Sequence, residues 1–237
     1  MSKKDYVFVP GIFQHKPSYK VITERLSNAT DEEIRIADYN SEFHHFPEYK
    51  EKYLDRAKEW YLDVVGDKVD GVIALSFGVP LTIEIMSKLK MNQKPDAFAF
   101  LSGALTPRFA KDEVKSAKDR DIAEYNKLMI IQRDANFFGK FMLYPFAYSL
   151  LRKMAKDSKN DLSSITRPTI ILQGKSDVLV DQSSADILYN GILLPETEKE
   201  VHLIENGPHH LVESSQGIEV SKKIGTFFDR HVSGKRL

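Results

Sequence analysis

Three short stretches carry residue types that together could perform nucleophilic chemistry: Ser76 in "GVIALSFGVP" (71–80), Asp177 in "GKSD" (174–177) and the pair His209–His210 in "NGPHH" (206–210). A serine hydroxyl is a poor nucleophile until a base takes its proton, and an imidazole is the usual base. A carboxylate that accepts the imidazole Nδ1–H fixes its tautomer and stabilises the imidazolium. Ala74 and Gly78 flank Ser76 at two residues' distance. Small residues at those positions are what a nucleophile on a tight strand-to-helix turn needs, because larger side chains would strike neighbouring backbone. The helix that follows points its N-terminal dipole at the serine, which favours developing negative charge.

Acyl chemistry also needs donors for an oxyanion. "Val9-Pro10-Gly11-Ile12-Phe13" makes a sharp turn possible at Gly11, so that the Ile12 N–H could aim at a substrate oxygen, with the Phe77 N–H as the second donor. Taken singly, each signal has an ordinary explanation. A loop histidine is usually solvated or capping, and an aspartate after a glycine usually shapes a turn. Asp181 competes with Asp177 and reads as the N-cap of the helix in "QSSADILYNGIL". Adjacent histidines point in different directions, so only one of His209 and His210 faces a common site.

The elements that must position these residues follow from the hydrophobic pattern. Short apolar runs at 5–10, 33–39, 71–76, 96–102, 168–174 and 200–206 read as strands, most ending at Gly, Pro, Asn or Ser. Between them lie helical spacings: Val21, Ile22 and Leu26 in 18–28, and Tyr53, Leu54, Ala57, Trp60, Tyr61 and Val64 in 47–66. A third helix, 79–89, starts close to Pro80, where a missing N–H costs nothing. Alternating strands and helices predict a parallel sheet covered on both faces. Strand 71–76 is apolar at nearly every position and is expected at its centre. Ser76, Asp177 and the histidines then all lie just past strand C-termini, where sites form in such sheets.

The interval 103–167 is far longer than a crossover requires. It opens charged, with the run 111–121 reading as a solvated face, and turns aromatic in "NFFGKFMLYPFAYSLL". Phe137, Phe141, Tyr144 and Tyr148 share one helical face, with Pro145 kinking or ending a helix. The interval is expected to be an inserted helical cap, its aromatic stripe packed on the core or roofing an apolar pocket. Gln14 and His15, beside the turn at Gly11, are further candidates for the pocket lining. His44 and His45 lack the spacing of metal ligands and read as a solvated loop.

Bulk composition narrows the function. The chain has 237 residues, 42% of them hydrophobic, enough for one large α/β domain or two small ones. Lys+Arg and Asp+Glu are both 34, so no charge excess points to nucleic acid or an anionic membrane. With no cysteine, disulfides, thiolate metal sites and cysteine nucleophiles are excluded. The apolar run after "MSKKD" is too short for a signal-peptide core, and no segment has the length of a spanning helix. A cytoplasmic protein is the expectation.

The order Ser…Asp…His, the "ALSFG" elbow, the "GKSD" turn, the "GPHH" loop and the insertion before the acid make the chain resemble an α/β-hydrolase over essentially its whole length. That resemblance implies an α/β-hydrolase fold with a mostly parallel sheet of about six strands. Residues 1–102 and 168–237 would form the core domain and 103–167 the cap. It assigns the base to His209, which directly follows a proline and stands three residues after Asn206, with Ser76 as nucleophile and Asp177 as acid. It implies a serine esterase that needs no metal or organic cofactor and whose partner is a small acyl substrate with an apolar portion. Pro10-Gly11 stands where the family usually has His-Gly, and the strand hairpin of larger members is missing. Thioester, amide or acyl-transfer chemistry on the same triad is the nearest alternative. A non-catalytic ligand-binding protein is the alternative from another class.

Overall fold

The computed structural model describes residues 3–11, 16–38, 50–66, 69–107 and 152–232. Six parallel strands form one open sheet: β1 (Tyr6–Val9), β2 (Ile34–Ile36), β3 (Gly71–Leu75), β4 (Ala97–Leu101), β5 (Thr169–Gly174) and β6 (Lys199–Ile204), in the order β2-β1-β3-β4-β5-β6. The strand order reverses between β1 and β3, so a crevice forms between their carboxyl ends. The expected strands and the central place of 71–76 match this arrangement, each strand being shorter than its apolar run by one to several residues or shifted by one. The runs include the turn residues that end each strand.

Among the described residues five α-helices cover the sheet: α1 (Lys16–Thr30), α2 (Lys50–Val65), α3 (Gly78–Lys88), α4 (Ser183–Gly191) and α5 (Gly217–His231). Strand alternation sends Val7, Val9, Val72, Ala74, Phe98, Phe100 and Ile171 to one face, against Tyr61 of α2, Leu81 and Ile85 of α3, and Leu188 of α4. The other face takes Tyr6, Phe8, Ile73, Leu75, Ala99 and Leu172, packed against Ile22 and Leu26 of α1 and Ile224 and Phe228 of α5. All five residues of β3 are buried, as a strand walled on both faces requires.

Two positions read as core-facing prove to be exposed. Val21 and Val64 are 39% and 37% accessible, because the buried faces of their helices run through Tyr19, Ile22 and Leu26 and through Tyr61 and Val65. Trp60 is half-buried against the core, as its spacing predicts, and Tyr53, Leu54 and Ala57 lie outside the residues whose side chains are described. Both ends of the long interval pack on the core. Ala104 and Leu105 are buried at its start, and Met154, Leu162 and Ile165 are buried at its end. Ser164 Oγ donates to the Ile83 carbonyl of α3 (3.3 Å), and Lys94 Nζ donates to the Ser164 carbonyl (2.6 Å). The middle of the interval, 108–151, lies outside the described residues, and with it the charged run 111–121 and the aromatic stripe Phe137, Phe141, Tyr144 and Tyr148.

The turn from β3 into α3 lies directly against the exit of β1. A Cβ on Gly78 would stand 2.6 Å from the Val9 carbonyl oxygen and 2.7 Å from that of Pro10, both backbone atoms that cannot rotate away. Only glycine lets this turn close onto β1. Gly78→Ala is expected to lower stability by about 1–3 kcal/mol through forced backbone displacement, read from urea unfolding midpoints. An unchanged midpoint would show that the two turns are free to separate.

Candidate active site

Ser76 directly follows β3 and has φ 54, a left-handed backbone that non-glycine residues seldom adopt. Its surroundings hold it there. The Ser76 N–H donates to the Leu101 carbonyl (2.9 Å), and the Ser76 carbonyl accepts from the N–H groups of Val79 and Ala104 (both 3.1 Å). Gly11, past the end of β1, faces the serine across the crevice: a Cβ there would lie 3.2 Å from Ser76 Cβ and 3.7 Å from Oγ. Strain at a single residue that its neighbours over-determine is typical of a functional turn. Phe77 is fully buried in the core beneath α3, so its backbone N–H belongs to the first turn of that helix.

Asp177 lies three residues beyond β5 and is 3% exposed. A carboxylate so buried must be saturated with donors. Oδ1 accepts the N–H groups of Leu179 and Val180 (both 2.9 Å). Oδ2 accepts from His209 Nδ1 at 2.8 Å and from Gln173 Nε2 at 2.9 Å. Burial pushes this carboxyl up, but the His209 charge and hydrogen bond, with the Val180 and Leu179 N–H groups, outweigh it and hold the group below the usual carboxylate range.

His209 is 3% exposed and directed at Asp177, whereas the His210 ring stands edge-on to it, 5.2 Å away at 87°. His210 Nδ1 lies 2.9 Å from Glu213 Oε2, outside hydrogen-bond alignment. The two rings thus point apart, and His209 is the one paired with the buried acid. The N-cap of α4 is Gln182 rather than Asp181, which stands one residue before it; Asp181 Oδ1 still accepts the Ser183 N–H at 2.9 Å.

The loops bearing Asp177 and His209 meet through backbone. Lys175 N–H donates to the Ile204 carbonyl and Ser176 N–H to that of Gly207, both at 3.0 Å, so the β5–β6 ladder continues past the sheet. A Cβ on Gly174 would overlap the Gly207 carbonyl, so the "GKSD" and "GPHH" turns can lie this close only because residue 174 has no side chain.

Two functional positions escape the sequence pattern. Ser102 follows β4 at φ 46, fully buried, and its Oγ donates to the His209 carbonyl at 2.8 Å. With Ala104 bonded to the Ser76 carbonyl, the segment 102–104 braces both the serine turn and the histidine loop. Gln173 is the second, and its signal is visible in hindsight: a glutamine ending the apolar strand "TIILQG" is 1% exposed, and a buried amide needs partners. Ile12, Gln14, His15, His44 and His45 lie outside the described residues. Among the described residues no cluster of His, Asp or Glu could hold a metal, and no helix is long and apolar enough to cross a membrane.

No family model and no curated relative matches the chain. Solved structures do. A monoacylglycerol lipase of Paleococcus ferrophilus is 14% identical, covering 97% of this chain and 96% of its own, with a TM-score of 0.63. A serine hydrolase from Cycloclasticus zankles is 12% identical over 96% of this chain and 90% of its own, at 0.65. Naproxen esterase of Bacillus subtilis is 17% identical over 96% and 84%, at 0.58. The chain has the α/β-hydrolase fold: an open sheet of six parallel strands between two layers of helices.

The depressed Asp177 carboxyl has a consequence for stability. Its charged form is stabilising above the ordinary carboxyl range of about 4, and that contribution is lost as pH falls through the lower value in the folded protein. Asp177→Asn should therefore flatten the acid side of the stability profile, measured by unfolding between pH 6 and 2. A parallel profile would show that the pair does not couple to folding.

Proposed function

We propose that the protein is a serine hydrolase that cleaves a carboxylic ester through Ser76, His209 and Asp177. The observation that carries this reading is the buried His209–Asp177 pair, at the same sheet edge as a serine held at φ 54. Similarity of fold to a lipase, a serine hydrolase and a carboxylesterase supports it.

Because Asp177 engages Nδ1, the neutral imidazole carries its proton there and Nε2 is left as the acceptor. Nε2 takes the Ser76 proton as Oγ attacks the acyl carbon. The carbonyl oxygen becomes an oxyanion, held by the N–H groups of Phe77 and Ile12, with the α3 dipole favouring its charge. The imidazolium returns its proton to the leaving alkoxide, giving an alcohol and an acyl-enzyme. Water, deprotonated by His209, then attacks the acyl carbon and releases the acid and free Ser76. The substrate has an apolar portion, for which Gln14, Phe137 and Phe141 would line the pocket and the aromatic stretch 137–148 would form its roof. No metal or organic cofactor enters these steps.

A fluorophosphonate probe should label the wild type at Ser76 and fail to label Ser76→Ala. His209→Ala should lower hydrolysis of a nitrophenyl ester by on the order of 10³-fold or more, and His210→Ala by far less. Absence of labelling in the folded wild type would overturn the reading in favour of a ligand-binding protein of this fold. A larger loss at His210 would reassign the base.

A further inference from the structure

The proposed triad leaves a buried polar group in direct contact with it without a role. Gln173, the penultimate residue of β5, places its carboxamide on Asp177 Oδ2 at 2.9 Å. That oxygen is also the one that holds His209 Nδ1 at 2.8 Å. A carboxylate oxygen only accepts, so the amide must present its NH₂ group here. The pairing is enclosed: Gln173, Asp177 and His209 are 1%, 3% and 3% exposed. Both backbone donors serve the other oxygen, Oδ1. Oδ2 therefore has two donors competing for its charge density, one of them the group that becomes cationic during turnover.

We propose that Gln173 is a positioning residue for the base: by sharing Oδ2 of Asp177 with His209 it fixes the carboxylate plane and limits how tightly that carboxylate holds the imidazolium. This rests on the reading of His209 as base. Two physical effects run in the same direction. The amide dipole places its positive end beside the cation, and its hydrogen bond withdraws charge from the oxygen that would stabilise it. In a dry site neither is screened by water. The result is a base that releases its proton readily to the leaving group. An isolated carboxylate–imidazolium pair would hold that proton longer.

Other titratable groups flank the pair among the described residues. His210 stands edge-on to His209, with Glu213 2.9 Å from its Nδ1. Asp181 accepts the Ser183 N–H at the start of α4, and Asp186 on that helix is exposed. Lys175 and Glu205 form an exposed ion pair on the two loops. β4 contributes only the neutral Ser102. The Gln173 amide donates to Asp177 Oδ2 and, more distantly at 3.5 Å, to the Gly174 carbonyl, so a change at Gln173 reads out on Asp177 and His209.

Gln173→Met keeps the side-chain length and removes the donor. The midpoint of the His209 imidazole titration, followed by nitrogen-15 NMR, is expected to rise by about half to one pH unit. The same substitution in an Asp177→Asn background should produce a clearly smaller shift, because no carboxylate remains to be shared and only the amide dipole is lost. A folded Gln173→Met with an unchanged or lowered midpoint overturns the proposal, as does an equal shift in both backgrounds. The wild type alone provides a second test. Its Gln173 side-chain NH₂ resonances should be protected from exchange and should follow the His209 titration, and a rapidly exchanging amide blind to that titration overturns the proposal without any variant. The acid limb of nitrophenyl ester hydrolysis should move upward with the NMR midpoint. An NMR shift in a protein that hydrolyses no ester would support the role of Gln173 while overturning the hydrolase reading.

Discussion

A carboxylate with almost no solvent contact is costly unless donors saturate it, and the structure around the site is arranged to satisfy Asp177. Asp177 meets four donors: two backbone N–H groups from its own turn, one amide from the strand before it and one imidazole from another loop. The first three are local and form wherever the turn folds. The fourth is not, since His209 is separated from Asp177 by α4, β6 and their connections. The hydrogen bond that completes the carboxylate thus also fixes where the last loop of the sheet must go.

That loop can reach only because backbone meets backbone. β5 and β6 remain paired to their ends, Gly174 opposite Ile204. The ladder then runs on through Lys175 and Ser176 to the carbonyls of Ile204 and Gly207. A side chain at 174 would wedge these turns apart and strand both the acid and the imidazole. On the other side of the site, Gly78 does the same for the serine turn and the exit of β1. The site is therefore suspended between two close approaches, one at the β1–β3 switch point and one at β5–β6, with Ser102–Ala104 at the end of β4 bridging them.

How much of this was legible in the sequence follows from how local each cause is. The positions of the strands and the buried centre at 71–75 come from runs of apolar residues, a signal that survives without knowledge of neighbours. Ser76, Asp177 and the His209–His210 pair could be singled out in the sequence because each lies within three residues of a glycine or proline, shortly after such a run. Ser102 and Gln173 were not, since their roles depend on which strands are adjacent. Only the neighbouring position of β4 and β5 lets Ser102 reach the His209 carbonyl, and only the turn of Asp177 back toward its own strand brings it to Gln173. The exposed sides of Val21 and Val64 were misread for a related reason: a helical face is defined by what it packs on, and a lone valine one residue off that face satisfies the periodicity almost as well.

Backbone strain is distributed in the same way. Among the described residues four non-glycine positions adopt left-handed φ: Asp31, Ser76, Ser102 and Asn206. Ser76 and Ser102 stand directly past β3 and β4, and Asn206 two residues past β6, at the edge where the site forms. Each such residue costs on the order of 1 kcal/mol or more, and none could persist on a pliable frame. The frame is not pliable, because both faces of the sheet are closed by apolar side chains that exclude water and leave the strands no room to shift. The packing that the apolar runs encode thus bears the cost of sharp turns at one edge, and those turns hold Ser76, Ser102 and the approach to His209 in place before any substrate arrives.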